Sequence, residues 1–237
     1  MKTGMLFATF GAIALAGFIL MAVLAAVHDT FPADVWLSHR IQDVDIATFD
    51  RGLDWAEDAA DFPAVVVVCA AIAALLLLRG DGVGALIVVA TTAGRPLSTW
   101  AAKELIERPR PAADLVEFED QPSSFSFPSG HAEAAFLLYG LIFYFAALHI
   151  RDVWLRTGVQ GACVFVIMGA GLERVYAGHH WPSDVIGGYY LGALILSGII
   201  AVHRLFSARR QTVTPLPSRS FSPATPTAEH GAGSRKT

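Results

Sequence analysis

MLFATFGAIALAGFILMAVLAAV, residues 5–27, contains no charged residue. A helix needs about 20 apolar residues to cross a bilayer, and a signal-peptide core runs to only about 7–15. The stretch is too long for the latter, and no clean cleavage site follows it. It reads as a retained first span. The rest of the chain repeats the pattern: of 237 residues, 54% are hydrophobic and 16% charged. Further apolar runs lie at 63–78, 84–102, 132–148, 158–173 and 185–203. The expected architecture is an all-α polytopic membrane helix bundle of about six transmembrane helices over residues 1–210. Beyond about residue 211 the chain becomes rich in Pro, Ser and Thr. Residues 211–237 are expected to form a disordered cytoplasmic tail.

Charge distribution sets an orientation. With the N-terminus inside, the cytoplasmic segments hold Lys2, Arg79, Arg151, Arg156, Arg204, Arg209, Arg210, Arg219, Arg235 and Lys236, ten of the seventeen Lys and Arg. Both termini are then cytoplasmic. The first outer segment, 28–62, is acidic, with Asp29, Asp34, Asp43, Asp45, Asp50, Asp54, Glu57, Asp58 and Asp61. Residues 33–62 also carry spaced apolar positions. A helix lying on the outer membrane surface and a connector packed on the bundle are equal readings. The net charge of −4 is modest, and no nucleic-acid partner is expected. Cys69 and Cys163 sit in apolar runs and read as buried free thiols.

Three polar clusters interrupt this apolar chain: KELIERPRP (103–111), FPSGHAEA (127–134) and ERVYAGHHWPSD (173–184). In the six-span arrangement each falls at the outer end of a span, so a bundle brings them to one depth. Lys103, Arg108 and Arg110 suit a phosphate, although cations also flank ordinary membrane helices. Pro109 and Pro111 stop the third span. Pro128-Ser129-Gly130-His131 precedes a helical run, and a helix N-terminus offers free N–H groups to an anion. The plain alternative is an ordinary helix start with an interfacial histidine. From the first turn of the last span, Asp184 can reach back to His180 and fix its tautomer. Arg95, inside the third span, is placed to pair with Glu133 and line a lipid-access groove, with a purely structural ion pair as the alternative.

Together the clusters resemble the type-2 phosphatidic acid phosphatase superfamily. Lys103 with Arg110-Pro111, Pro128 to His131, and Arg174 with His180 and Asp184 match its three motifs in order and spacing. The resemblance implies a metal-independent transfer of phosphate, with no cofactor. His180 is the nucleophile that forms a phosphohistidine, Asp184 orients it, and His131 is the general acid. Lys103, Arg110, Arg174, Ser129 and Gly130 hold the phosphoryl oxygens. Glu173 stands where the family has Ser. Glu173, His179 and Arg108 are expected to tune substrate choice, with Glu173 pairing to Arg174 or Arg108.

The implied activity is a lipid phosphatase or diphosphatase at the outer face of the cytoplasmic (inner) membrane. Undecaprenyl diphosphate is slightly favoured over phosphatidylglycerol phosphate, phosphatidate and diacylglycerol diphosphate. A lipid-diphosphate-dependent phosphotransferase uses the same residues, and an anion-binding transporter is the reading from another class. The soluble vanadium haloperoxidases share the motifs, but the apolar spans argue against them. The partners expected are a membrane lipid and the bilayer; the sequence sets no oligomeric state.

Overall fold

A computed structural model describes residues 2–44, 47–118 and 120–212. These residues form eight helices and no strand: α1 (Lys2–Val27), α2 (Pro32–Gln42), α3 (Ala47–Ala60), α4 (Phe62–Leu78), α5 (Gly82–Ile106), α6 (Gly130–His149), α7 (Val153–Tyr176) and α8 (Pro182–Thr212). The helix starts are written in the sequence. Asp81 accepts a hydrogen bond from the Gly84 amide at 2.9 Å, and Asp152 one from Leu155 at 2.8 Å. Pro32 and Pro182 take the first helical position of α2 and α8. α5 ends at Ile106, where Glu107 turns left-handed just ahead of Pro109.

Each of the six expected apolar runs lies in its own helix, α1 and α4 to α8. By length and composition, four stretches can cross a membrane: Phe7–Val27, Gly130–His149, Val153–Tyr176 and Pro182–Ser207. A fifth arises if the bent pair Arg51–Ala60 and Pro63–Leu78, at 61° to each other, counts as one span. The difference from six has two causes. α4 has only 17 residues, and α5 carries Arg95, Pro96 and Lys103 along its 25. The protein is a multi-pass membrane protein, and α1 exposes Phe10, Ile13, Ile19, Leu20 and Val23 along its length as a lipid-facing helix does.

α6 is the central helix. One side packs Leu137, Leu141 and Phe145 against Leu76, Val88 and Leu196 of α4, α5 and α8. Its other side packs Leu138 and Tyr139 against Val65, Cys163 and Val166 of α4 and α7. Cys69 and Cys163 are buried free thiols. The acidic segment is a packed connector. α3 buries Leu53, Ala56 and Ala60, spaced for one helix face, and lies along α7. α2 packs on α7 and α8. α8 runs on to Thr212, two residues into the tail expected over 211–237, and the rest of that tail lies outside the described residues.

Arg95 and Glu133 do not form the expected ion pair. Glu133, fully buried, accepts hydrogen bonds from Ser98 at 2.6 Å and from Thr99. Arg95 donates instead to the Gly130 carbonyl at 3.2 Å. Two hydroxyls one helical turn of α5 below Lys103 outcompete the guanidinium, so α5 is tied to the start of α6 by neutral donors.

Candidate active site

The three polar clusters meet around His180. Backbone bonds join them: Ser126 N, just before the second cluster, to Arg108 O at 2.8 Å, and Ser129 N to Asp184 O at 3.0 Å; within the third, His180 N meets Arg174 O at 3.0 Å. Close approach makes this possible. At Gly188, on α8, a Cβ atom would lie 2.5 Å from the Ser129 carbonyl oxygen. The histidine pair sits after a turn that needs its glycine. Gly178 has φ +70°, and a Cβ there would stand 2.2 Å from the Glu117 carbonyl oxygen. Gly178→Ala is expected to cost about 1–3 kcal/mol and to lower the thermal midpoint and phosphate release together. An unchanged melting curve would contradict this account of the turn.

His180 is 4% exposed. Its Nδ1 faces Asp184 Oδ2 at 3.6 Å and Ser126 Oγ at 3.4 Å, and its Nε2 faces Arg110 Nη1 at 3.4 Å. A carboxylate beside Nδ1 favours the proton there and leaves Nε2 with a free lone pair. Burial pushes the imidazole down to about 3, and the charges of Arg110 and Lys103 add to this against the pull of Asp184. The ring is neutral throughout the physiological range.

Asp184 is fully buried and fully engaged. It accepts from Arg108 Nη1 at 2.6 Å, from the Trp181 amide at 2.9 Å, and from Ser126 Oγ. Arg108 in turn reaches Asp34 Oδ2 at 2.9 Å, Ser183 Oγ at 2.7 Å and the Asp29 carbonyl at 3.2 Å, with its guanidinium 4.9 Å from the Phe31 ring centroid. At 1% exposure Arg108 is a buried clamp held by the groups it touches. Two carboxylates on separate helices draw the guanidinium inward, and it ties α2 to α8 beneath His180.

Lys103 and Arg110 stand close enough to His180 for their charges to act on it. Lys103 donates to the Phe125 carbonyl and lies 3.5 Å from Ser124 Oγ. Arg110 grips Ser124 through its carbonyl (2.8 Å) and hydroxyl (3.1 Å), and the His179 carbonyl at 2.5 Å. Burial, opposed by Asp184, lowers the Arg110 pKa. Arg174 is turned to carboxylates: its Nε meets Glu173 and its Nη2 meets Glu57 of α3. Of the two partners expected for Glu173, the structure selects Arg174. Ser129 is buried and caps α6, its Oγ 3.5 Å from the Ala132 amide. His131 has its Nε2 3.4 Å from Asp61 Oδ1. His179 has its Nε2 3.4 Å from Asp120 Oδ1. Burial and the nearby charge of Arg174 press its imidazole below the ordinary range.

Residues 84–208, more than half of the chain and all three clusters, match the PAP2 superfamily. The chain belongs to the PAP2 superfamily. It is 42% identical over 101 residues to phosphatidylglycerophosphatase B of Bacillus subtilis, a match covering 39% of this chain and 45% of that protein. It is 34% identical over 116 residues to lipid A 4'-phosphatase of Bacteroides thetaiotaomicron, covering 46% of each. It is 38% identical over 80 residues to undecaprenyl-diphosphatase of Sulfolobus acidocaldarius, covering 32% of this chain and 33% of the other. The chain thus spans less than half the length of these curated relatives. A crystal structure of a transmembrane PAP2 type phosphatidylglycerolphosphate phosphatase from Bacillus subtilis superposes with a TM-score of 0.65 at 25% identity, over 83% of this chain and 96% of that one.

Four residues in this PAP2 protein escaped the motif-based reading. Ser126 lies two residues before the Pro-Ser-Gly-His motif and joins its loop to Asp184. Asp34, Glu57 and Asp61 belong to the acidic segment before the PAP2 match, and contact Arg108, Arg174 and His131 respectively. A signal existed for two of them: Glu57 and Asp61 are four residues apart, the spacing of one helix face.

Proposed function

We propose that the protein is a metal-independent phosphatase of membrane lipid phosphates or diphosphates, with six spans and its site at the outer headgroup level of the cytoplasmic membrane. The observation that carries this reading is His180: a buried neutral imidazole with a carboxylate at Nδ1 and the guanidinium of Arg110 at Nε2. In the proposed reaction Nε2 attacks phosphorus. The bond to the leaving oxygen breaks, and its electron pair takes a proton from His131. Water then attacks the phosphohistidine, His131 receives the water proton, and the P–N bond breaks. Asp184 balances the charge that develops on His180. Lys103 and Arg110, with Arg174 once it shares its guanidinium with the substrate, offset charge on the equatorial oxygens, where most of phosphoryl-transfer catalysis arises.

A lipid substrate fits two further features. Exposed Trp36, Trp55 and Trp100 lie on the helices that bear the site, as residues at a membrane interface do. A cavity of about 680 Å³ runs between α5 and α8, lined by Ile87, Leu97, Ile195 and Ile199 together with Arg95 and Ser98. Phosphatidylglycerol phosphate and undecaprenyl diphosphate lead the substrates, since relatives bear both names.

The test is inorganic phosphate release by purified protein from a panel of these lipids in excess chelator. Full turnover in chelator is expected, because cations of the chain offset the phosphate charge. Loss of activity there would overturn the metal-free reading, and no release from any lipid would overturn hydrolysis itself.

A further inference from the structure

The mechanism above leaves His131 without an orienting group, although His180 has one in Asp184. A histidine that must hand over a proton works best when its other ring nitrogen is held. Asp61 stands at that position. Its Oδ1 lies 3.4 Å from His131 Nε2, and no motif includes it. Its backbone is well placed. Asp61 is the cap residue of α4, in extended conformation, with its carbonyl accepting from the Val65 amide at 2.9 Å. It sits at the 61° bend where α3 meets α4. One helical turn earlier, Glu57 meets Arg174. The α3–α4 junction thus presents two carboxylates, one to each of two motif residues.

We propose that Asp61 is a positioning residue for His131. This rests on the reading of His131 as the general acid. Asp61 accepts the Nε2 proton, holds the ring, and leaves Nδ1 to pass its proton to the leaving oxygen and later to take one from water. The site then has a carboxylate–histidine pair on each side of the phosphate: Asp184 with His180 for attack, and Asp61 with His131 for departure. Both members of the second pair are about half-exposed, with side chains 41% and 48% accessible, so substitution at Asp61 leaves no buried charge uncompensated.

The experiment compares kcat/KM for a lipid monophosphate, whose alkoxide needs a proton, with that for p-nitrophenyl phosphate, whose leaving group does not. The full-length proteins are wild type, Asp61→Asn, Asp61→Glu, His131→Ala and the Asp61→Asn/His131→Ala double variant. General-acid help is worth roughly 10²–10⁴-fold, and orientation is a part of it. Asp61→Asn should lose on the order of 10-fold on the lipid and stay within about 3-fold on the aryl phosphate. It should add no loss in the His131→Ala background, and Asp61→Glu should recover part of the activity. Equal losses on both substrates, losses that multiply with those of His131→Ala, or an unchanged Asp61→Asn would each overturn the proposal. If His131→Ala itself fails to discriminate between the substrates, the general-acid reading falls first. Discrimination by His131→Ala alone sinks only the role of Asp61.

Discussion

His180→Ala is expected to lose on the order of 10⁶-fold in kcat, leaving only what binding and charge stabilisation supply. The reason is geometric. Nε2 is the ring nitrogen beside Arg110, and Nδ1 is committed to Asp184 and Ser126. No neighbouring side chain substitutes for that lone pair. His179→Ala, one residue away, should keep activity within about 10-fold, since its ring faces Asp120 and only its backbone carbonyl supports Arg110. Phosphate release by the two variants decides between adjacent histidines. An active His180→Ala would refute the assignment.

The same residue makes a prediction about pH. Burial holds His180 near 3 in the folded protein, against an ordinary value of 6.5. The unfolded chain therefore binds this proton from about pH 6.5 downward while the folded protein does not, so stability falls as pH drops through that window. His180 itself stays unprotonated there. Any acid limb in kcat/KM above pH 5 must come from another group or from the substrate.

Arg108→Ala should destabilise the protein by about 3–5 kcal/mol, the cost of breaking a buried ion pair from one side. Asp34 and Asp184 would both lose the charge that compensates them, at 5% and 0% side-chain exposure. The measurement is thermal unfolding followed with a thiol-reactive fluorophore, because Cys69 and Cys163 are buried and free until the bundle opens. Adding Asp34→Asn to Arg108→Ala should recover part of the loss, since it removes one of the two stranded carboxylates. Activity should fall further than stability alone explains, because Asp184 loses the bond that holds it under His180. A variant that melts like wild type would show that the clamp carries no energy.

Much of this was legible in the chain itself. Uncharged runs near 20 residues in length demand helices in lipid, since no other local structure satisfies the backbone there. Prolines and capping residues then mark the ends, which is why α1 and α4 to α8 fall where the apolar runs do. Motif spacing singled out the residues that meet around His180, because those residues sit at helix ends whose positions local rules determine. Neither the direction of Arg108 nor the distant partners of Arg174 and His131, Glu57 and Asp61, was readable in this way. Arg108 looks like a third phosphate cation in the run RPRP, but Asp34, 74 residues away, turns it inward. Arg174 and His131 meet Glu57 and Asp61 only because α3 packs along α7 and bends into α4. Local propensity and hydrophobic length act over a few turns of one helix and are written in the sequence. Where a charged side chain settles depends on which distant carboxylates share its low-dielectric surroundings, and only the assembled bundle decides that.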